Sequence, residues 1–258
     1  LDCLVVLGGN GSQKTANLLS EEGLNVIGLP KTIDNDLWGT DTTFGFQSAI
    51  GIATDVIDCI HTTAASHNRV FMVEVMGHKA GWLTLNAGMA GGADIILIPE
   101  IPYNIDSVVA KIDHRANAGH GFTILAVAEG AMSKKEAAMS KKEYKKHLAE
   151  LLEQYPSVSY AIADKILKKT GREVRVTVPG HMQRGGTPCA YDRVLSSRLG
   201  ATAALMISKG EFGNMVAIHD HVITSVPLKE VAGKLKTIDP SSDIITEARL
   251  LGISFGDD

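Results

Sequence analysis

Short apolar runs alternate along the chain with longer stretches of mixed apolar and polar residues. The apolar runs predict buried strands at residues 2–7, 25–29, 70–75, 94–98, 122–128, 174–178 and 215–218. The stretches between them predict helices at 12–22, 43–63, 79–90, 105–118, 142–170 (as two helices), 190–209 and 228–236. Strands of nearly continuous apolar residues that are separated by helices are typical of parallel sheets covered on both faces. The pattern therefore predicts an α/β protein with mainly parallel sheets.

In such sheets, binding sites form beyond the carboxyl ends of the strands. The first predicted strand is followed by the glycine-rich stretch Gly8-Gly9-Asn10-Gly11-Ser12 and then by a helix. Glycines let backbone N–H groups approach a ligand, and the N-terminus of a helix favours a phosphate. The stretch matches neither the Walker loop nor the dinucleotide fingerprint, so a simple tight turn explains it equally well.

The second predicted strand is followed by PKTIDND, residues 30–36. Lys31 and Thr32 can bind phosphate oxygens. Asp34 and Asp36 are two residues apart, so in an extended chain their side chains point the same way. One carboxylate can take a proton from a hydroxyl during phosphoryl transfer and the other can hold a magnesium ion. The alternative is a solvated turn in which Asp34 caps the next helix.

Three later turns carry further polar groups at the ends of predicted strands. They contain Met76-Gly77-His78, Glu129, and the stretch PGHMQRGG with His181 and Arg184. A histidine and an arginine in a glycine-rich loop suit a sugar phosphate, the arginine through its bidentate fork. Taken singly, each turn also has an ordinary structural explanation, and Arg69 and Arg175 could be surface charges.

Composition limits the possible classes of protein. A length of 258 residues allows one large or two modest domains. The hydrophobic fraction of 45% and charged fraction of 21% are typical of a soluble globular protein. The net charge of −4 gives no general attraction to nucleic acid. No apolar stretch reaches the roughly 18 residues that a membrane span needs.

The termini and cysteines bear on the protein's context. Cys3, Cys59 and Cys189 are scattered and odd in number, which disfavours a disulfide framework and favours a reducing, cytoplasmic location. The chain begins with Leu1 directly before the first predicted strand, without a signal peptide. We therefore expect it to be part of a longer protein.

The stretches GGNGS, PKTIDND, SHNRVFMVEVMGHKAG, AEG and REVRVTVPGHMQRGG, in this order, strongly resemble the phosphofructokinase family. The resemblance extends from Leu1 to about Gly213. It implies two similar three-layer α/β/α lobes with mainly parallel sheets, the active site in the cleft between them, and glycolytic transfer of a phosphoryl group to the 1-hydroxyl of fructose 6-phosphate. The implied donor-binding lobe comprises 1–43 and 184–225, without its N-terminal part. The implied fructose 6-phosphate lobe comprises 44–183 and 226–258.

The resemblance also implies roles for individual residues. Asp34 matches the catalytic base, Thr32 lies beside the transferred phosphoryl group, and Asp36 lies near Mg²⁺. Arg69 and Arg175 match arginines that reach a neighbouring subunit's site, which implies a homodimer or homotetramer. The implied catalytic residues are Asp34, Lys31, Thr32 and Asp36; the substrate-binding residues are Thr32, Ile33, Asp34, Arg69, Met76, Gly77, His78, Glu129, Arg175, His181 and Arg184; the donor-binding residues are Gly9, Asn10, Gly11 and Ser12; and the metal ligands are Asn10 and Asp36.

The phosphoryl donor is indicated by two residues that disagree. Gly11 resembles the branch that uses ATP, because a glycine leaves room for the nucleotide's α-phosphate. Lys31 resembles the branch that uses pyrophosphate. We favour ATP, because a lysine near phosphates is electrostatically compatible with either donor. A pyrophosphate-dependent phosphotransferase remains the alternative.

Asn10 departs from the family, which usually has an aspartate there. Asparagine keeps an oxygen ligand but removes a negative charge, which should weaken magnesium binding. A degenerate regulatory subunit that binds sugar phosphates is therefore a second alternative.

The lysine-rich stretch 133–150 predicts a solvated, charged helix with mixed Lys and Glu pairs. We favour this interpretation over a polyanion site. The stretch resembles an insertion of the pyrophosphate-type and mixed branch of the family.

Overall fold

The computed structural model describes residues 1–64 and 69–257. Residues 66–68, which begin the quoted SHNRV stretch, lie outside the described part. The helices and strands, in chain order, are β1 (Leu4–Gly8), α1 (Asn10–Glu21), β2 (Val26–Thr32), β3 (Phe44–Gly45), α2 (Phe46–Ala64), β4 (Val70–Val75), α3 (Trp82–Ala90), β5 (Ile95–Leu97), α4 (Ile105–Asn117), β6 (Thr123–Ala128), α5 (Lys134–Ala137), α6 (Lys141–Gln154), α7 (Val158–Thr170), β7 (Val174–Thr177), α8 (Ala190–Lys209), β8 (Asn214–His219), β9 (Val222–Pro227), α9 (Leu228–Val231) and α10 (Asp243–Leu250).

The chain divides into two compact units. Unit 1 comprises Leu1–Ala49 and Arg184–Lys236, and unit 2 comprises Ile50–Gln183 and Thr237–Asp258. The assignment of one lobe to the phosphoryl donor and of the other to fructose 6-phosphate, which the resemblance implies, stays a prediction.

Unit 1 contains a sheet in the order β1-β2-β8-β9, with β3 paired to β2. The pairings are parallel except for β8 with β9. Alternate residues of β2 face opposite sides: Ile27 packs with α8, and Val26 packs with α1 and α9. The sheet is therefore covered by helices on both faces.

Unit 2 contains a fully parallel sheet in the order β5-β6-β4-β7. Helices α4 and α7 pack on one face through Val108, Ile112 and Ile162. Helix α3 lies close to the other face, because a Cβ on Gly88 would meet Ile96 Cδ1 at 2.8 Å. Val75 pairs with Ala128, so the chain leaves β4 and β6 at the same edge of the sheet.

The predicted α/β class with mainly parallel sheets is confirmed, and most predicted elements are present. The sequence pattern missed the antiparallel strand β9 and the helix α10. The predicted helix at 228–236 is wrong beyond its first turn, since α9 ends at Val231. None of the helices in the described part of the chain has the length and hydropathy to cross a membrane.

Candidate active-site residues

The glycine-rich turn of unit 1 is held tightly between β1 and β2. Gln13 is fully buried, and its Nε2 donates to the carbonyls of Gly8 and Leu29, both at 3.0 Å. A Cβ on Gly9 would lie 3.3 Å from Thr32 Cβ, so the turn packs directly against the end of β2. The sequence pattern did not single out Gln13. The available signal was a glutamine in the first turn of the helix that follows the glycine-rich loop.

The residues that begin α1 differ in their surroundings. A Cβ on Gly11 would meet no atom within 4 Å, so this position faces open space. Asn10 Nδ2 donates to the carbonyl of Lys234 at 2.9 Å. An aspartate side chain has no N–H group and could not make this bond. The bond therefore gives a structural explanation for asparagine at this position. Ser12 is half-buried in the same turn.

The TIDND segment is a turn and not an extended strand. Asp34 N donates to Thr32 Oγ1 at 3.2 Å, and Asn35 has a left-handed backbone with φ of 52°. Asp36 is 4% exposed, whereas Asp34 is only half-buried. The expectation that the two carboxylates share one direction through strand geometry is therefore wrong, because the backbone between them is not extended.

A lysine that sequence reasoning missed holds this turn. Lys236 Nζ donates to Asn35 Oδ1 at 3.1 Å and to the carbonyls of Thr40 and Asp41, each at 2.8 Å. The backbone N–H of Lys236 donates to the carbonyl of Asp36 at 2.8 Å. Burial lowers the pKa of Lys236 to about 8, while the carboxylates of Asp41 and Asp36 act in the opposite direction. No local pattern marks this residue, because its partners are far away in sequence.

The remaining predicted residues of unit 1 lie around the turn. Lys31 is exposed and pairs with Phe44 of β3. Ile33 is 9% exposed. Arg184 is exposed.

The described residues hold no group of three or more His, Cys, Asp or Glu side chains suited to a metal ion. Asn10 and Asp36 offer two oxygen-bearing side chains, of which Asp36 is buried. This small donor set fits Mg²⁺ only in its usual arrangement, in which one or two protein oxygens are supplemented by substrate phosphates and water.

In unit 2, side chains fix the loop after β4. Glu129 Oε1 accepts from Gly77 N at 3.2 Å and from His78 N at 2.7 Å, and Gln183 Oε1 accepts from Met76 N at 3.2 Å. Gly77 has φ of 148°, and a Cβ there would lie 2.6 Å from the carbonyl oxygen of Ala80. The structure thus brings together the predicted residues Met76, Gly77, His78 and Glu129.

His181 lies in a 3-10 turn, Gly180–Arg184, that Gln183 ties to the same loop. Gln183 is 1% exposed, and its Nε2 also donates to the carbonyl of Gly180 at 3.2 Å. His181 itself is exposed. Sequence reasoning missed Gln183, whose place inside the stretch GHMQRGG was the available signal.

Arg69 and Arg175 are paired with one carboxylate. Arg69 Nε lies 3.2 Å from Glu173 Oε2, and Arg175 Nη2 lies 2.7 Å from Glu173 Oε1. Arg69 directly precedes β4 and Arg175 lies opposite Phe71, so both are at the amino end of the sheet. Glu129 follows the carboxyl end, and the structure does not bring the arginines together with it.

A large cavity of about 1290 Å³ in unit 2 contains part of the predicted sugar site. His78 and Glu129 line it, together with Glu74 and Glu100. One face of α6 forms another wall, through Lys141, Tyr144, Lys145, Leu148 and Leu152.

Comparison with known proteins identifies the family. The phosphofructokinase family matches residues 1–207. The ATP-dependent 6-phosphofructokinase of Spirochaeta thermophila is 56% identical over 257 residues, which span 100% of this chain and 70% of that protein. ATP-dependent 6-phosphofructokinase 3 of Bacteroides thetaiotaomicron is 48% identical over 99% of this chain and 70% of its own length.

Solved structures agree with this result. Phosphofructokinase from Saccharomyces cerevisiae has a TM-score of 0.73 and 33% identity, over 90% of this chain and 32% of that one. The pyrophosphate-dependent phosphofructokinase from Marinobacter aquaeolei has a TM-score of 0.75 and 26% identity, over 95% of this chain and 64% of that one. The chain therefore belongs to the phosphofructokinase family.

Proposed function

We propose that this protein transfers the γ-phosphoryl group of ATP to the 1-hydroxyl of fructose 6-phosphate and so produces fructose 1,6-bisphosphate in glycolysis. The observation that carries the proposal is the packing of Gly9 against Thr32 in unit 1. It places a glycine-rich turn suited to phosphates beside the turn that holds Asp34. The names of the relatives give the same reaction class.

Asp34 is the proposed general base. Its carboxylate takes the proton of the sugar's 1-hydroxyl while that oxygen forms a bond to the γ-phosphorus and the bond from the γ-phosphorus to the bridging oxygen breaks. Thr32 Oγ1 already accepts from Asp34 N, which orients the backbone before the base. The hydrogen of the Thr32 hydroxyl remains to donate to a phosphoryl oxygen.

Mg²⁺ bound to the donor phosphates would neutralise charge that develops during transfer. Asn10 and Asp36 are the proposed protein ligands of the ion, and Gly9, Gly11 and Ser12 are proposed to lie along the donor.

Sugar recognition is proposed for residues of unit 2 and for Arg184. Glu129 Oε1 is engaged by two backbone N–H groups, which fixes the carboxylate and leaves Oε2 to accept from sugar hydroxyls. His181 and Arg184 are the proposed ligands of the 6-phosphate. Met76 and His78 would lie along the sugar.

ATP is the proposed donor because the open space at Gly11 leaves room for a nucleotide and because the curated relatives carry that name. The exposed Lys31 is compatible with either donor. Pyrophosphate stays the second candidate, supported by Lys31 and by the likeness to a pyrophosphate-dependent structure.

Arg69 and Arg175 support a homo-oligomer, either a dimer or a tetramer. They lie at the amino end of the sheet, away from this chain's Glu129. The sugar that they are proposed to contact is therefore one that is bound by a neighbouring copy of the chain. The glycolytic reaction and the unpaired cysteines favour the cytoplasm.

The proposal is tested by steady-state assays of the protein with ATP and with pyrophosphate, each with fructose 6-phosphate and Mg²⁺. We expect turnover with ATP, and a loss of about 10²–10⁴-fold in kcat for Asp34→Asn, since a general base contributes that much. Asp58→Asn, at an exposed position of α2, is the matched control and should leave kcat unchanged.

Full activity of Asp34→Asn would overturn the role of the base. Turnover with pyrophosphate alone would overturn the donor. Binding of fructose 6-phosphate without turnover with either donor would support the regulatory-subunit alternative instead.

A further inference from the structure

Lys236 connects both ends of the segment 35–41, which lies between β2 and β3. Its Nζ donates to Asn35 Oδ1 at 3.1 Å and to the carbonyls of Thr40 and Asp41, each at 2.8 Å. An ammonium group has three N–H donors, so one lysine can serve all of these acceptors at once. Lys236 therefore closes the segment 35–41 into a loop.

The backbone of Lys236 is fixed against the same segment. Its N–H donates to the carbonyl of Asp36 at 2.8 Å, and Leu235 forms an antiparallel bridge with Leu37. The side chain of Leu37 is fully buried. The side chain of Lys236 therefore starts from a fixed point beside the loop that it closes.

Asn35 separates the two carboxylates of the segment, so a change in its backbone would redirect both Asp34 and Asp36. Its backbone is left-handed, with φ of 52°, and it is 4% exposed. A residue other than glycine keeps such a conformation where its surroundings fix it. Asn35 Oδ1 accepts from Lys236 Nζ and also from Thr43 N, at 3.0 Å. These two contacts fix the side chain of Asn35.

The other end of the loop is attached to strand β8. Thr40 Oγ1 accepts from Ile218 N at 3.1 Å, and Asp41 N donates to the carbonyl of Ile218 at 2.9 Å. Asn35 Nδ2 reaches the carbonyl of Asp41 directly, but only at 3.4 Å. The shorter bonds of Lys236 thus join Asn35 to an end of the loop that the sheet of unit 1 holds in place.

We propose that Lys236 is a positioning residue for phosphoryl transfer, whose ammonium group holds the turn at Asn35 and so directs Asp34 towards the reacting hydroxyl. This inference rests on the proposed function, in which Asp34 is the general base. Lys236 acts through Asn35 and needs no contact with the sugar or the donor. A displacement of about 1 Å at a reacting group can lower a rate by about 10²-fold. Loss of the ammonium group therefore lowers kcat and leaves substrate binding largely intact.

The test removes the ammonium group and keeps a side chain of similar length. Lys236→Met has neither the charge nor the N–H donors. Lys229→Met makes the same chemical change at an exposed lysine of α9 and is the matched control. Steady-state kinetics with fructose 6-phosphate, ATP and Mg²⁺ gives kcat and both KM values. Hydrogen exchange of the backbone at residues 34–43 measures the order of the turn without any need for turnover.

We expect Lys236→Met to lower kcat by about 10²-fold and to change each KM by less than about threefold, since the substrates still bind but the base is displaced. Hydrogen exchange should become faster at residues 34–43 and stay at the parent level in β4 and β6. Lys229→Met should match the parent protein in both measurements, because substitutions of exposed side chains have small effects. Lys236→Gln, whose amide keeps N–H donors, replaces Lys236→Met in the comparison if the methionine variant does not fold.

Asn35→Gly tests the same contact from its other side. Glycine adopts a left-handed backbone readily, so this variant removes the acceptor of Lys236 and keeps the turn accessible. If Lys236 acts through Asn35, the effects of the two substitutions on kcat overlap. The double variant should then lie within about threefold of the slower single variant, whereas independent effects would multiply.

Unchanged kcat in the Lys236 variant would overturn the proposal. A loss of kcat/KM that comes from a higher KM would also overturn it, because Lys236 would then act in binding. So would a lower kcat without faster hydrogen exchange at residues 34–43, or effects that multiply in the double variant. Failure of the proposed function is seen separately in the parent protein, as turnover that survives Asp34→Asn, or as no turnover with either donor while hydrogen exchange still shows whether Lys236 orders the turn.

Discussion

At the scale of single residues, Gly11 combines a proposed role in donor binding with structural freedom. Its missing side chain faces open space, so a substitution there alters the solvent side of the turn and leaves the packing of unit 1 intact. Gly9, by contrast, is pressed against Thr32. We therefore expect that a substitution at Gly11 can test the proposed donor preference without unfolding the protein.

We predict that Gly11→Asp reduces the use of ATP. The new carboxylate would occupy the space proposed for the nucleotide and would repel its phosphates, so KM for ATP should rise by about tenfold or more, equivalent to about 1.4 kcal/mol. An acidic residue in the first turn of α1 also interacts favourably with the helix dipole, so the melting temperature should not fall. Steady-state kinetics and thermal unfolding of the variant measure both effects.

Gly11→Ala is the matched control, because a methyl group meets no neighbour at this position. It should retain most of the ATP-dependent activity. If Gly11→Asp used ATP as well as the parent protein does, the nucleotide would not bind beside residue 11.

The predictable residues share a local signal. Thr32 is the last residue of β2, Asp34 comes two residues later, and Glu129 directly follows β6. Their positions at the carboxyl ends therefore follow from the chain pattern. Lys236 and Gln183 could not be found in this way, because their function is to bind backbone groups that are distant in sequence. Asn35 has a left-handed backbone that the residue types around it did not reveal.

At the scale of elements, the short helix α5 depends on one carboxylate. Glu136 accepts from Ser133 N at 2.6 Å and from Ser133 Oγ at 2.7 Å, and it lies beside His147 of α6. Burial raises the pKa of Glu136, but these hydrogen bonds outweigh it and hold the pKa below its ordinary value. The carboxylate therefore links the cap of α5 to α6.

We predict that Glu136→Gln removes an acid-sensitive part of the protein's stability. Because the folded pKa of Glu136 is below the unfolded one, its contribution is complete above about pH 4.5 and disappears as the pH falls through the folded pKa. At neutral pH the variant should be less stable by about 1–2 kcal/mol, as for loss of a helix cap. Denaturant unfolding of both proteins at pH 7 and at about pH 4 measures the difference.

The difference in free energy of unfolding between the parent protein and Glu136→Gln should be smaller at the lower pH. Glu153→Gln is the control, since Glu153 is an exposed carboxylate on α6 and its replacement should leave the stability nearly unchanged at both pH values. If this difference in free energy of unfolding did not depend on pH, the lower stability of Glu136→Gln would come from altered packing and not from ionisation.

Element types were more predictable than element ends. The parallel strands β4 and β6 are apolar except for Glu74 and Thr123 and stood out in the sequence, because both of their faces are buried. Strand β9 is largely exposed and antiparallel, so it lacked that signal. Helix α9 stops after Val231, and the chain then turns through Gly233, with φ of 80°, before Lys236 reaches the turn that contains Asn35.

At the scale of the whole molecule, the sheet that each strand joins could not be derived from local pattern. β8 pairs with β2, although most of unit 2 lies between them in the sequence. Local periodicity specifies a buried strand but not its partner, which depends on packing between distant segments. The resemblance to a family supplied this discontinuous organisation, and the residues alone did not.

The free cysteines give a prediction for the whole chain. Cys3, Cys59 and Cys189 are all unpaired, so a reductant should not change the melting temperature. Cys59 is exposed and should be labelled first by a thiol reagent under native conditions, since reactivity follows access to the thiolate. Burial raises the pKa of Cys3, which lowers its thiolate fraction and should delay its labelling. Cys59→Ser should remove the fastest labelling phase, whereas a melting temperature that falls on reduction would reveal a disulfide and contradict the prediction.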